Sequence, residues 1–269
     1  MTKGRSLRIY AIGYLIFLYA PIALLPVFAF NDSKIIAFPL SGFTTTWFSE
    51  MWNDAQMWTA LKHSMIISSS TSILATTLGI FAARASTRYR FPGKGPAMGL
   101  IMLPLVLPEM IVAMSLLVVL LALGVPLSIM TVILGHSLIC TPFAVAILTS
   151  AFQSLDQSLE EAAYDLGETP VSTFRLIILP LVMPGIISSL LICFTISLDE
   201  FIISYFLAGA DSVLSAYIYS QFRFPARVPA MLALGTILVL VSVVLLTIAE
   251  YFRRRGIAKT GGKDTGGFL

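Results

Sequence analysis

Long apolar segments recur along the chain, and each has about the length that a helix needs to cross a bilayer. A helix rises 1.5 Å per residue, so about 20 apolar residues span the hydrocarbon core. Six segments separated by polar stretches meet this requirement: residues 9–30, 65–83, 98–123, 127–149, 177–198 and 231–248. Prolines fall inside several of them, which membrane helices tolerate when neighbouring groups satisfy the freed carbonyls. The pattern predicts an all-α membrane protein with six transmembrane helices.

The ends of the first and third segments need separate treatment. The first is longer than the 7–15 apolar residues of a signal peptide, and no convincing A-x-A cleavage site follows it. We therefore expect it to be retained as a helix. The third and fourth segments are joined only by Gly124, Val125 and Pro126, which predicts a tight hairpin.

Composition agrees with this assignment. Of the 269 residues, 57% are apolar and 12% are charged, and the mean hydropathy is +0.91. Disorder requires low hydrophobicity and high charge, and a soluble domain carries about 25% charged residues, so both classes are excluded. The net charge of +3 is small and gives no indication of nucleic-acid binding.

The positions of the basic residues orient the segments. By the positive-inside rule, the side richer in Lys and Arg is cytoplasmic. Thirteen of the seventeen basic residues lie on the side that holds both termini: Lys3, Arg5, Arg8, Arg84, Arg88, Arg90, Lys94, Arg175, Arg253, Arg254, Arg255, Lys259 and Lys263. The other side holds Lys34, Lys62, Arg223 and Arg227. Both termini are therefore predicted to be cytoplasmic.

Several chemistries find little support in the sequence. Cys140 and Cys193 both fall within apolar segments and indicate neither a disulfide framework nor a metal site. His136 lies four residues before Cys140 and could share a helix face with it, although two packed interior residues explain the pair better. Gly262-Lys263 lacks the rest of a Walker A motif, so ATP-driven work would need another polypeptide.

The predicted cytoplasmic loop at residues 150–178 is unusually acidic, with five acids against one arginine: Asp156, Glu160, Glu161, Asp165, Glu168 and Arg175. Apolar positions recur at helical spacing and predict a short amphipathic helix; they are Leu155, Leu159, Ala162 and Leu166. Gly167 suits its C-terminal cap, and Thr169-Pro170 suits an N-cap followed by Pro at the first helical position. We predict a helix, a sharp turn and a second helix that continues into the fifth span.

The same loop resembles the EAA loop of ABC-importer inner-membrane permeases. The matching residues are Glu161-Ala162-Ala163, Gly167, Ile177, Leu179 and Pro180, seven defined positions over twenty residues. The resemblance implies the type I importer (MetI-like) transmembrane fold, with coupling helices that dock in a groove of the ATPase subunit. The alternative is an amphipathic helix on the membrane surface, whose polar face is expected to be basic rather than acidic.

Further segments resemble the spermidine/putrescine permease branch of that family, and the likeness extends over about residues 19–250. They are residues 42–48, 103–109 and 195–201. Branches for thiamine, iron(III) and other small solutes share parts of these segments. Glu200 stands where the polyamine branch often has a second aspartate, and residues 212–215 replace its Thr-Leu-Pro motif. These two departures bear on the identity of the substrate more than on the class of protein.

Three acids in the spans point to a cationic solute. Glu109 is predicted near the middle of the third span, and Asp199 and Glu200 at the outer end of the fifth. No Lys or Arg lies inside the predicted spans. Intramembrane acids are functional candidates, and a passing cation would supply the missing charge through weak, transient pairing.

By resemblance, the residues linked to polyamine transport are Trp47, Glu109, Ser197, Asp199 and Glu200. Trp47 could offer its ring face to an ammonium group, and Ser197 a hydrogen bond. Structural explanations remain open for each of them. Trp47 could be a membrane-interface anchor, Asp199 and Glu200 could pair with Arg223 or Arg227, and Glu109 could join two helices as a protonated donor.

The leading hypothesis is a non-catalytic permease subunit in the bacterial inner membrane. We expect one permease domain over residues 1–269, with a core at about residues 61–250 and the coupling loop at 150–178. The resemblance implies a second homologous permease, two ATPases that bind ATP and Mg, a solute-binding protein and surrounding lipid, with no cofactor in this chain.

Three other hypotheses compete with this one. An ABC permease for another small solute would keep the class and change the cargo. A proton-coupled secondary transporter would use the membrane acids as relays. An intramembrane enzyme would have to rely on the scattered His63, His136, Cys140 and Cys193.

Overall fold

The computed structural model describes the backbone of residues 2–259 and the side chains of residues 7–252, 254 and 255. Lys3, Arg5, Arg253, Lys259 and Lys263, which contribute to the predicted orientation, lie outside the described side chains. Within the described part the fold is helical, apart from an isolated antiparallel bridge between Asn31 and Phe43. The helices are α1 Thr2–Ala29, α2 Thr46–Trp52, α3 Ala55–Arg88, α4 Lys94–Met102, α5 Glu109–Ala122, α6 Ile129–Gln153, α7 Ser158–Asp165, α8 Pro170–Thr173, α9 Leu179–Asp199, α10 Ile202–Leu207, α11 Leu214–Gln221 and α12 Val228–Lys259.

Five of the predicted spans correspond to long apolar helical segments. These are Leu7–Ala29, Ala55–Arg88, Ile129–Gln153, Pro170–Asp199 and Pro225–Phe252. Most are longer than predicted because polar residues continue the helix beyond its apolar part. The second, with 34 residues, is about 50 Å long at 1.5 Å per residue, well beyond a hydrocarbon core of about 30 Å. Its ends must therefore project out of the apolar layer.

The third predicted span is wrong as a single helix. Helices α4 and α5 meet at a bend of 104° and count as one span only as a broken pair. Pro108 explains the break, because it lacks an N–H donor and disfavours the helical conformation of the residue before it, whereas Pro104 lies in the helical turn Leu103–Leu105 that still belongs to the first half. Pro108 itself has φ −57° and ψ 127°, which is not a helical conformation. Helix α5 then begins at Glu109 in a new direction.

The hairpin predicted between the third and fourth spans is confirmed. Gly124 has φ +68°, a conformation that L side chains rarely adopt. The N–H of Gly124 bonds to Leu121 O at 3.0 Å, and the N–H of Val125 bonds to Leu120 O at 2.9 Å. This pair of bonds is a Schellman motif, which satisfies the last carbonyls of α5 before α6 starts.

The described residues fall into two compact units. The first comprises residues 2–58 and 217–241, and its core holds Ala29, Trp47, Leu232 and Ala233. The second comprises residues 59–216 and 242–259 and contains the three membrane acids and the predicted coupling loop at residues 150–178, which is called the docking loop from here on. In the second unit α6 packs against α9, and α5 against α10. All the chemistry discussed below involves contacts within one unit or the other.

Candidate functional site

Glu109 lies at the helix break, near the middle of the broken third span. It is the first residue of α5, directly after Pro108, and its side chain is exposed. Free N–H groups at the start of a helix and the helix dipole favour a negative charge there. The predicted position near the middle of the third span therefore holds, and the structure adds that the helix is broken there, so that Glu109 begins a new helix.

Asp199 and Glu200 lie at a second break. Helix α9 ends at Asp199, and Glu200 adopts an extended conformation before α10 begins at Ile202. The Glu200 carboxylate accepts the N–H of Ile203 at 3.1 Å, and its carbonyl accepts the Ser215 hydroxyl at 2.9 Å. The exposed Asp199 carboxylate accepts only a long hydrogen bond from Ser242, at 3.4 Å.

The two breaks are brought together by helix packing. Helix α5, which begins at Glu109, packs against α10, which follows Glu200. Ala113 shares a buried cluster with Ile203 and Leu207 in this contact. Glu109 is near enough to Glu200 for their negative charges to repel each other. Carboxylates separated by about 90 residues of sequence thus form one acidic region.

Ser197 lies on α9 two residues before Asp199, and it is buried and bound to a histidine. Its hydroxyl lies 2.8 Å from His136 Nδ1, and the Ser204 hydroxyl lies 3.0 Å from His136 Nε2. A neutral imidazole has one donor and one acceptor nitrogen, so the two serines satisfy both. His136 is 1% exposed, as expected for an interior residue. Its link between α9 and α10 was not predicted, because the three residues are far apart in sequence.

Trp47 is a core residue of the first unit. It is 4% exposed, and its indole N–H donates to Asn31 O at 2.7 Å. It packs with Ala29, Leu232 and Ala233. In this conformation its ring is therefore part of the packing, and no face is open to an ammonium group.

Arg227 pairs with a residue other than the two acids that the sequence suggested. Its Nη1 lies 2.9 Å from Asp54 Oδ2, which also accepts the Tyr217 hydroxyl at 2.7 Å. Burial alone would raise the pKa of Asp54, but hydrogen bonds from Tyr217, Met57 N–H and Gln56 N–H outweigh it and lower the pKa. Burial and the nearby Asp54 raise the pKa of Tyr217 to about 12.

The docking loop has the predicted helix, turn and helix. After α7, Gly167 has φ +85° and bonds to Tyr164 O at 2.9 Å, while Glu168 N–H bonds to Ala163 O at 3.0 Å. These are the two bonds of a Schellman motif. The Thr169 side chain then accepts the N–H of Ser172 at 3.2 Å, with Pro170 at the first helical position. Both caps are confirmed.

The rest of the EAA motif links the loop to the fifth span. Ile177 belongs to a π-helical turn at Phe174–Ile178, and Leu179 and Pro180 begin α9. Of the alanines, Ala163 is 3% exposed, whereas Ala162 faces outward beside the exposed Glu161. A single helical path thus runs from the loop into the span.

The acids of the loop have different partners. Glu160 forms ion pairs with Arg84 and Arg88. Asp156 accepts the N–H of Ser158 at the start of α7, which lowers the Asp156 pKa, and Glu168 accepts the Ser172 hydroxyl. The acidity of this loop is therefore partly used in contacts within the chain. The arginines of α3, used only to set the topology, are the functional candidates that sequence reasoning missed.

The apolar positions of the loop point mostly outward. Leu155 is buried but precedes α7, so it does not belong to the helix as predicted. Leu166 and Val171 are 86% and 76% exposed, and Leu176 and Leu159 are also exposed. Exposed apolar side chains grouped on one loop are typical of a protein-binding surface.

With this geometry in view, comparison with known proteins gives the class. Residues 75–257 match the family of binding-protein-dependent transport system inner membrane components. The chain belongs to this family, so it is a multi-pass permease of the inner membrane and not an enzyme.

Two individual relatives of the chain are permeases named for spermidine/putrescine and putrescine transport. The chain is 34% identical over 247 residues to the spermidine/putrescine transport system permease protein PotC of Shigella flexneri, covering 91% of this chain and 93% of that one. It is 36% identical over 247 residues to the putrescine transport system permease protein PotI of Escherichia coli K12, covering 89% and 87%.

Solved structures support the fold. A chain of a bacterial ABC transporter that imports alginate has a TM-score of 0.65 at 16% identity, covering 93% of this chain and 97% of that one. A chain of the MetNI methionine ABC transporter has a TM-score of 0.60 at 14% identity, covering 77% and 98%. The type I importer, MetI-like fold is therefore confirmed.

The buried His136 contacts lead to a stability prediction. Replacing His136 with Leu leaves the Ser197 and Ser204 hydroxyls without their partner, and each buried unsatisfied group costs about 1–3 kcal/mol. We expect a lower melting temperature in detergent for this variant. Adding Ser197→Ala and Ser204→Ala should recover part of the loss. A triple variant that melts lower still would contradict the assigned hydrogen bonds.

Proposed function

We propose that the chain forms half of the translocation path of an ATP-driven importer for polyamines of the putrescine and spermidine class. The observation that carries the proposal is 34–36% identity over about nine tenths of the chain to permeases named for these solutes. The acidic region of the second unit supports it independently of the relatives.

The physical argument concerns repulsion between carboxylates. Glu109 and Glu200 repel each other, and Asp199 adds a third acid one residue away. Like charges in a region of low dielectric are unfavourable unless a cation lies between them. A polyamine carries two or more ammonium groups along a flexible chain, so it can bridge such acids in passing. Glu109 acts from the start of α5, and Asp199 and Glu200 act from the end of α9, on the same acidic region.

Two other candidates have an indirect part in the path. Ser197 and Trp47 are both buried in hydrogen-bonded packing, so each contacts solute only in a conformation that opens this packing. In the described conformation Ser197 is bound to His136. Through this bond it positions the segment that carries Asp199 and Glu200.

The docking loop connects the path to ATP hydrolysis. The exposed Leu166 and Val171 contact a groove of an ATPase subunit, which binds ATP and Mg in place of this chain. A second homologous permease completes the pore, and two ATPases and a solute-binding protein complete the importer. Both termini are cytoplasmic, so the loop faces the ATPases, and residues 1–269 work as one permease domain.

Of the other hypotheses, only a different small solute remains compatible with the family. A proton-coupled secondary transporter would use the same acids but gives no reason for the exposed apolar loop or its two caps. The acids are the feature of the chain that favours polyamines over other solutes. The uptake experiment that follows tests their role.

The acids give a transport prediction. The double variant Asp199→Asn with Glu200→Gln removes two charges from the path without changing side-chain size. We expect uptake of labelled putrescine and spermidine to fall about tenfold or more, which corresponds to about 1.4 kcal/mol of lost stabilisation. Uptake is measured in cells that lack their own polyamine importers.

Asp32→Asn is the matched control, since Asp32 is an exposed acid of the first unit. It should transport at the rate of the unmodified chain. Normal uptake of both polyamines by the double variant would contradict a carboxylate path.

The turn in the docking loop gives a coupling prediction. Gly167→Val forces a branched side chain into a left-handed conformation that costs about 1–2 kcal/mol, and it changes the angle between α7 and α8. We expect the protein to insert and ATP hydrolysis by the complex to continue, while uptake falls. The measurement is ATP hydrolysed per solute imported in proteoliposomes.

Gly93→Val is the control for strain alone. Gly93 has φ +82° and, like Gly167, has no neighbouring atom within 4 Å of an added side-chain carbon, but it lies outside the loop. It should leave the ratio unchanged. An unaltered ratio in the Gly167 variant would count against docking through this turn.

A further inference from the structure

A buried ion cluster joins the docking loop to helix α3. Arg84 Nη2 lies 3.2 Å from Glu160 Oε2, and Arg88 Nε lies 2.7 Å from Glu160 Oε1. The side chains of the three residues are only 11–14% exposed. Arg84 and Arg88 are one helical turn apart, so they hold both carboxylate oxygens of Glu160 from the same face of α3.

The arginines also contact the loop on either side of Glu160. Arg88 Nη2 donates to Leu155 O at 3.1 Å, before α7. The Arg84 guanidinium lies over the Phe174 ring at 5.0 Å, in the π-helical turn that leads into α9. The end of α3 therefore holds the segment before α7, α7 itself and the exit of the loop.

Helix α3 does not continue directly into this loop, since some seventy residues of sequence separate Arg84 and Arg88 from Glu160. The loop is continuous with α6 and α9, which would move with it in any case. Farther along α3, the Thr76 hydroxyl lies 3.0 Å from the Ser189 hydroxyl of α9, and Gly79 packs against Ala144 of α6. Helix α3 thus contacts the fifth and fourth spans inside the membrane and the docking loop at its end.

We propose that Arg84, Arg88 and Glu160 are positioning residues that transmit the movement of the docking loop to helix α3. The proposal rests on the proposed docking of the loop to an ATPase. When the ATPase moves α7, the charge-assisted hydrogen bonds carry α3 along, so the second span moves together with the fourth and fifth. Without the cluster, the loop moves while α3 lags behind.

The side chains are suited to this role. An exposed ion pair contributes little, because water and salt screen it. This cluster is largely buried, where removal of one partner leaves an uncompensated charge. The planar guanidinium groups fix direction as well as charge, which lysine would not do. The positive-inside rule alone would be met by any basic residue at either position.

The test uses the whole importer reconstituted in proteoliposomes. Glu160→Gln removes the charge and keeps the shape. We expect intact assembly with the ATPase and continued ATP hydrolysis, but at least about a fivefold increase in ATP hydrolysed per solute imported, the lower range of typical coupling energies. Arg84→Gln with Arg88→Gln should have the same effect. An unchanged ratio in Glu160→Gln would overturn the proposal.

Combining the variants tests whether the residues act through one another. The triple variant should resemble either parent, because a link that is already broken cannot be broken again. Effects that multiply would overturn the proposal. If Glu160→Gln impairs assembly through its unpaired arginines, the triple variant leaves no unpaired charge and should restore assembly but not coupling. Restoration of both would show a purely structural cluster and overturn it as well.

Glu250→Gln is the matched control. It makes the same substitution in an ion pair with Arg254, at 2.6 Å, whose arginine is 67% exposed and which lies outside the loop. Its ratio should equal that of the unmodified importer. If the unmodified importer carries no polyamine, the proposed cargo fails by itself, and the variants are then compared by whichever solute it carries.

Discussion

A membrane interior offers no water to a free peptide group, so the backbone must satisfy its own hydrogen bonds. The chain meets this constraint with long helices, and it departs from them at two breaks, at residues 106–108 within the third span and at Glu200 at the end of the fifth. The three acids of the predicted spans lie at these breaks. Broken helices provide free backbone groups and a local opening, which is where a charged solute can be accommodated in a membrane protein.

The same scarcity of polar partners explains how the few charges are distributed. At the C-terminal end of α3, Glu160 is held by Arg84 and Arg88, and the cluster stabilises the docking loop against the helix. At the two breaks, the negative charges of Glu109 and Glu200 repel each other, and neither carboxylate forms an ion pair within the part of the chain that the structure describes. A paired cluster keeps its geometry, whereas repelling carboxylates favour a cation. The first arrangement suits transmission of movement and the second suits transport.

Local features of the fold follow from the sequence, and distant contacts do not. The caps at Gly167 and Thr169 depend on neighbouring residues and are predicted correctly, as are five spans whose apolar length is sufficient. The sharp bend at Pro108 depends on how the chain packs after the break, which prolines alone do not determine. The contacts of Glu160 with α3 and of His136 with Ser197 join residues 61–76 positions apart. The periodicity of a sequence does not indicate contacts between such distant residues. For this reason the arginines of α3 could be used only to orient the spans, and their contacts with Glu160 were not predicted.

In the function proposed above, the chain carries a polyamine along a path lined by carboxylates. The most direct measurement is competition for uptake by the complete importer, in cells without other polyamine importers, using a panel of unlabelled cations. Putrescine and spermidine should displace each other, monoamines of similar length should compete weakly, and neutral analogues should not compete. Equal competition by neutral analogues, or none by either polyamine, would contradict the proposed function.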